Sequence, residues 1–164
     1  MLRVRLASLP DGLHHETLRP SADDLGLDPD VFSDIEVDLR LDVAERRVLA
    51  AFTARATARL ACDRTLDLYD QPVEGSHSVL FSADAPPADD DSDDDVQPLP
   101  DDAQDLDLTA PVYDTLLLAL PLRRVSPAAQ AAEIPTEFGG PSEDEPADDR
   151  WAALQALRDA DDTD

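Results

Sequence analysis

Apolar and polar residues alternate along three consecutive runs between residues 34 and 81. Residues 35–43 alternate apolar with charged side chains, which places every apolar side chain on one face of a half-buried β-strand. Residues 48–62 have an apolar side chain at every even position, and the same two-residue period returns in residues 73–81. The pattern predicts three long antiparallel strands, a β-meander with one buried and one solvent-facing side.

An α-helix is the alternative for residues 45–61. This stretch is rich in Ala, Arg and Glu, and Val48, Phe52, Ala56 and Leu60 also fall on one helical face. A strand fits slightly better, but periodicity alone leaves both possibilities open.

The residues before the meander predict a further strand pair and a loop. Residues 2–6 alternate and end at a Pro-Asp-Gly turn, so residues 13–18 can pair back as a hairpin. Residues 20–34 suit a loop or a single helical turn capped by Ser21.

After the meander, the sequence predicts four segments of different character. Residues 84–105 read as a disordered acidic loop because they have too little apolar surface to offset the entropy of ordering. Residues 106–125 supply the core helix, which Pro111 suits near its start and Pro121 must end. Residues 126–147 read as a linker, and residues 148–158 as a short amphipathic C-terminal helix.

These elements predict an α+β fold. Residues 1–83 form an antiparallel β-meander or partly closed sheet, and the apolar helix covers its dry face. The helix completes the same domain across the acidic loop.

Charge is distributed unevenly along the chain. The net charge is -25, and residues 84–107 hold eleven acidic residues and no basic one. All 13 basic residues are Arg. Loss of Lys with abundant Asp suits a cytoplasm of molar salt, where self-repulsion is screened over about 3 Å. A GC-rich genome accounts for the same composition equally well.

The single cysteine, Cys62, excludes an intrachain disulfide and favours a reducing compartment. It could be a nucleophile, a metal ligand or a small buried group, and burial fits best because no sequence neighbour supplies a base. His14 and His15 would point to opposite faces of a strand, so they do not make a metal pair. We expect no metal, cofactor or membrane segment, and a cytoplasmic protein.

The order of several short motifs resembles the YceD family, the large ribosomal RNA subunit accumulation proteins. These motifs are Gly12-Leu13-His14-His15, Cys62-Asp63-Arg64-Thr65-Leu66, Ser78-Val79-Leu80-Phe81, Tyr113-Asp114-Thr115-Leu116-Leu117-Leu118-Ala119-Leu120-Pro121 and Asp149-Arg150-Trp151-Ala152-Ala153-Leu154-Gln155-Ala156-Leu157. The family motif positions are Cys62, Arg64, Leu120 and Pro121, and the order of the motifs carries the resemblance. The resemblance also favours a strand over a helix for residues 45–61.

The resemblance implies a bacterial or plastid protein that is not an enzyme and is linked to accumulation of large-subunit rRNA. Many relatives have a Cys-x-x-Cys motif at the corner and further cysteines after the Leu-Pro helix. Here Thr65 stands at the second cysteine position, and no cysteine follows Pro121. Since a structural zinc site needs about four N or S ligands, the implied metal role does not carry over.

We therefore expect a noncatalytic ribosome-biogenesis factor whose partner is large-subunit rRNA or a pre-ribosomal particle. The candidate RNA-contact residues are Arg40, Arg55, Arg59 and Arg64, because phosphate neutralisation needs clustered cations. The alternative for the sheet arginines is pairing with Glu36, Asp38 and Asp42 across strands.

A second hypothesis is an acidic protein-interaction module, or chaperone, for a basic ribosomal protein. An enzyme is the third: the chain has no phosphate-binding Gly-rich loop and no nucleophile elbow.

Overall fold

A computed structural model describes residues 1–7, 9–85, 96–100 and 102–132. The chain divides into two units, Met1–Gln130 and Ala131–Asp164, and the described residues belong almost entirely to the first. In chain order the elements are β1 (Arg3–Arg5), β2 (Gly12–Leu18), α1 (Ala22–Leu25), β3 (Phe32–Ala44), β4 (Arg47–Ala61), β5 (Leu68–Ser82), β6 (Val96–Pro98), β7 (Asp105–Asp107), α2 (Thr109–Leu118) and α3 (Pro127–Ala131).

A five-stranded sheet in the order β2-β3-β4-β5-β6 forms the main layer. Its first four strands are antiparallel neighbours, whereas β6 runs parallel to β5. The predicted meander is therefore confirmed, and the helical alternative for residues 45–61 is excluded because this stretch is the central strand β4. The sheet is open rather than partly closed, since β2 and β6 do not pair.

Strict alternation builds the core on one side of this sheet. Every even-numbered residue of β4 from Val48 to Leu60 is buried, as the sequence predicts. In the regular part of β3 the buried side chains are at odd positions from Ile35 to Leu41. A bulge at Ser33–Glu36, where Asp34 has φ 52°, precedes this regular part of β3.

Helix α2 covers the buried face, as predicted. Val112 and Leu116 are fully buried, but Leu117 points partly to solvent and Thr115 is buried instead. Thr115 can face the sheet because Gly75 of β5 has no side chain. A Cβ at Gly75 would lie 2.6 Å from Thr115 Cγ2, so this position requires glycine for the helix to pack so closely.

The predicted hairpin between residues 2–6 and 13–18 is wrong. β1 pairs with β7 in a separate two-stranded sheet, and β2 pairs with β3 at the edge of the large sheet. Alternation identifies a strand but carries no information on its partner, which explains the error. The single helical turn is α1, and Ser21 caps it in a capping box with Asp24.

Parts of the predicted loop and linker are ordered. β6 lies within the range 84–105 and α3 within the range 126–147. β6 is stabilised by hydrogen bonds to β5, and α3 is stabilised by burial of Ala129. The composition of these two ranges does not indicate either interaction. The acidic run 86–95, most of the linker and the predicted helix 148–158 lie outside the described residues.

Strand β5 has one edge that is largely without a strand partner in the described part of the chain. β6 pairs only with Leu80, Phe81 and Ser82, which leaves residues 68–79 along this edge. Pro72 lies in the middle of the edge. None of the helices in the described ranges combines the length and apolar content that crossing a membrane requires.

Candidate nucleic-acid interface

Three of the four candidate RNA-contact arginines, Arg40, Arg55 and Arg59, lie on the outer face of the large sheet. Because residues on one strand alternate between faces, burial of the even positions of β4 turns Arg55 and Arg59 outward. Arg40 is outward on β3, where Ala51 of β4 is its cross-strand neighbour.

Arg55 lies between two carboxylates from the neighbouring strands. Its Nη1 donates to Asp38 Oδ2 on β3 at 2.6 Å, and its Nε donates to Glu74 Oε2 on β5 at 2.5 Å. The hydrogen bond from Arg55, followed by one from Thr17, lowers the pKa of the Asp38 carboxyl. The alternative of cross-strand pairing therefore describes Arg55, although its partners are Asp38 and Glu74 rather than Glu36 or Asp42. A phosphate would have to displace both carboxylates.

Arg40 borders a shallow depression of about 590 Å³ on the same face. His15 of β2 pairs with it across the strands, and Thr53 and Ser76 lie along the depression with their hydroxyl groups hydrogen-bonded to each other at 2.9 Å. Within the described residues, Arg40 makes no ion pair. Its side chain could therefore bind an anion, but it is the only arginine that lines this depression in the part of the chain described here.

The turn after β4 holds the fourth candidate, Arg64. The turn is closed by the N–H of Leu66, which donates to the carbonyl of Cys62, and by the N–H of Cys62, which donates to the carbonyl of Asp67, both at 2.9 Å. Leu66 adopts the left-handed conformation, with φ 63°. This tight turn carries Asp63, Arg64 and Thr65 out from the end of the hairpin.

Hydrogen bonds tie this turn to the segment that follows α2. The N–H of Asp63 donates to the carbonyl of Arg124 at 2.7 Å, and the N–H of Arg124 donates to Asp63 Oδ2 at 2.8 Å. Arg64 Nη1 donates to the carbonyl of Ala129 at 2.5 Å. Beneath these bonds, Cys62, Val125 and Ala129 form a small buried cluster. The two segments, sixty residues apart in sequence, are thus fixed against each other.

The result is a surface at the β4–β5 turn that we call the arginine corner, defined as Arg64, Arg123 and Arg124. All three are exposed, and none has an ion-paired carboxylate among the residues described. The nearest acid in sequence, Asp63, already accepts the Arg124 backbone N–H. Arg59 is also exposed and lies toward the same end of β4, five residues before Arg64.

Cys62 is fully buried beneath the corner, which agrees with its expected burial, but its sulfur is also a hydrogen-bond acceptor. The N–H of Ser126 donates to Cys62 Sγ at 3.4 Å. This donor, followed by the Thr65 side chain, lowers the pKa of the Cys62 thiol from 9.0 to about 6, although burial acts in the opposite direction. The Cys62 sulfur therefore accepts a hydrogen bond from the second segment of the corner.

The structure separates the four candidate arginines rather than joining them in one patch. Arg55 is ion-paired, Arg40 lies by the depression, and Arg59 and Arg64 lie toward the corner. Sequence reasoning missed Arg123 and Arg124 as candidates. The sequence feature that could have identified them is their position shortly after the Leu120-Pro121 motif. This motif follows α2, close to the turn that holds Arg64.

No metal site is formed in the described ranges, where no group of three or more His, Cys, Asp and Glu side chains could hold an ion. The family motif positions Cys62 and Arg64 instead hold the corner through hydrogen bonds. Leu120 and Pro121 end the α2 segment, and Leu120 packs against the main core.

The fold and this surface define a small α+β protein with an open sheet and a basic corner on an otherwise acidic chain. The chain belongs to the YceD family: the family model described as large ribosomal RNA subunit accumulation protein YceD matches residues 50–158. The match begins within β4 and includes the whole arginine corner. Comparisons with curated proteins and with solved structures found no match. The family name implies a role in accumulation of large-subunit rRNA, and the family is not a known enzyme family.

Proposed function

We propose that this protein is a noncatalytic assembly factor that supports accumulation of large-subunit rRNA, and that it acts in the cytoplasm. The family match over residues 50–158 is the observation on which this proposal depends. The corresponding partner is large-subunit rRNA or a pre-ribosomal particle that contains it.

The arginine corner is the proposed RNA contact. Three exposed guanidinium groups without paired carboxylates can each donate several hydrogen bonds to phosphate oxygens. The corner also lies inside the matched range, whereas Arg40 lies outside it. The chain as a whole is strongly acidic, so long-range electrostatics oppose RNA binding and a local cation cluster has to supply the attraction.

In the proposed role the protein catalyses no chemical reaction. Cys62 is the one cysteine of the chain, and it lies under the corner with no exposed surface. Its hydrogen bonds join the two segments of the corner, so its contribution is to hold the arginines in place.

The test is depletion of the protein in cells, followed by measurement of the ratio of large-subunit to small-subunit rRNA. We expect the ratio to fall and to recover when the wild-type chain is restored. A chain carrying Arg123→Glu and Arg124→Glu should be present at normal levels and fail to restore it. An unchanged ratio on depletion would contradict the proposed function.

Affinity purification at native salt identifies the partner. We expect large-subunit rRNA to copurify with the wild-type chain and to be lost from the corner variant. Retention of a basic ribosomal protein without RNA would instead support the second hypothesis. Replacement of the aspartates in residues 89–95 by asparagine would then release that protein.

A further inference from the structure

A groove with a cavity volume of about 510 Å³ runs between α2 and the neighbouring strands β5 and β6. Its apolar part is formed by Val79 of β5 and Pro111 of α2, both buried beneath it. Leu117 and Leu118 form the wall on the side of the helix. Leu118 is 85% exposed and Leu117 is 36% exposed, so this wall presents apolar surface to solvent.

Two polar groups in the same groove have no partner in the described part of the chain. Asp114 precedes Leu117 and Leu118 by about one helical turn, so its carboxylate lies on the same side of α2. The side-chain amide of Gln97 on β6 faces the groove from the opposite wall. Among the described residues that line the groove there is no arginine, so this lining has a negative formal charge.

We propose that this groove binds a segment of a basic polypeptide, with an arginine or lysine head group on Asp114 and apolar side chains against Leu117 and Leu118. Long basic side chains have an aliphatic stem and a cationic head, which matches an apolar groove that carries one carboxylate. The net charge of -25 also attracts a cationic partner from a distance. RNA fits poorly, because the Asp114 carboxylate in the groove would repel its phosphates.

This inference goes beyond the proposed function and does not depend on RNA contact by the arginine corner. The corner and the groove carry opposite charge, so one surface suits phosphate and the other suits a basic protein segment. The two sites use different residues and can be tested separately on the full chain.

The probe is a fluorescein-labelled peptide of alternating leucine and arginine, and its binding is followed by fluorescence anisotropy. We expect Asp114→Asn to weaken binding about fivefold and Leu118→Ser to weaken it roughly tenfold. Both residues are exposed, so both variants should fold. A peptide with glutamine in place of arginine should lose affinity for the wild-type chain and should not distinguish it from Asp114→Asn.

Two matched variants control for charge and for exposed apolar surface. Asp67→Asn removes the same charge from an exposed position in the turn after β4, and Leu122→Ser removes a leucine that is fully exposed outside the groove. We expect both controls to bind the peptide like the wild-type chain. If Asp67→Asn weakens binding as much as Asp114→Asn, the peptide responds to net charge alone and the proposal is wrong. Equal losses for Leu122→Ser and Leu118→Ser would overturn it as well.

Discussion

Arg55 and Arg124 are both exposed arginines of one chain, yet their guanidinium groups have opposite surroundings. Arg55 is held between Asp38 and Glu74 on the sheet, whereas Arg124 has no ion-paired carboxylate in the described structure. The sheet supplies acids on both neighbouring strands, and the corner uses its nearest acid, Asp63, for a backbone hydrogen bond. An arginine's availability to a phosphate therefore depends on what its neighbours already bind, and not on exposure alone.

Charge reversal should show the largest difference between these two regions. We expect Arg123→Glu with Arg124→Glu to weaken binding of transcribed large-subunit rRNA by about tenfold or more, because two phosphate contacts are replaced by repulsion. The slope of log affinity against log salt should also become shallower by about 1 for each lost contact. Filter binding over a series of salt concentrations measures both quantities.

The matched control for this experiment is Arg40→Glu with Arg55→Glu, which makes the same change in net charge on the sheet, away from the corner. It should have the smaller effect, since Arg55 is already neutralised. If the sheet variant loses as much affinity as the corner variant, the corner has no special role.

The Cys62 thiol should have an effect smaller than charge reversal at the corner and larger than loss of the Arg55 charge. It is measured as a pH dependence of the free energy of unfolding. Its lowered pKa means that the folded state binds the thiol proton more weakly than the unfolded chain. The stabilisation from the thiolate is therefore complete above about pH 9 and is lost as the pH falls through about 6. Urea unfolding of the wild-type chain and Cys62→Ala should show a difference in stability that shrinks over this range.

A second variant separates the hydrogen bonds from the burial of the thiol. Thr65→Val removes one of the donors to Cys62 Sγ and should raise the pKa of the thiol, measured by the ultraviolet absorbance of the thiolate. A wild-type thiol that titrates near 9 would rule out the proposed thiolate.

Removal of the Arg55 charge should have the smallest effect. Arg55→Gln leaves Asp38 and Glu74 without their shared cation, but exposed ion pairs contribute little to stability. We expect a slight fall in the urea midpoint at low salt that disappears at high salt, and a rise in the pKa of Asp38. Arg40→Gln is the matched control, and its midpoint should not change. A large fall for Arg55→Gln at high salt would indicate that Arg55 contributes mainly through packing.

The sequence predicts the elements of this fold better than their partners. The two-residue period of β3, β4 and β5 and the prolines at 111 and 121 locate the meander and α2, because these signals are local. The pairing of β1 with β7 depends on contacts a hundred residues apart, which no local pattern encodes. The acidic composition of residues 84–105 likewise conceals β6.

The candidate site was predictable only in part, for the same reason. Alternation places Arg55 on the outer face, but the strand register decides that Asp38 and Glu74 reach it. The corner joins residues 62–66 to residues 123–129 through hydrogen bonds of the backbone. Neither segment has a sequence pattern that indicates contact with the other. The sequence therefore did not predict that Arg123 and Arg124 lie beside Arg64.

The unpaired edge of β5 affects how readily copies of the protein associate at high concentration. Exposed strand edges can recruit strands of other molecules and begin aggregation. At Pro72 the ring nitrogen has no hydrogen to donate, and the carbonyl oxygen already accepts a hydrogen bond from the Gln71 side-chain amide at 3.1 Å. A strand from another molecule would find no free hydrogen-bonding group at Pro72. This proline therefore halves the length of edge over which two copies can pair continuously.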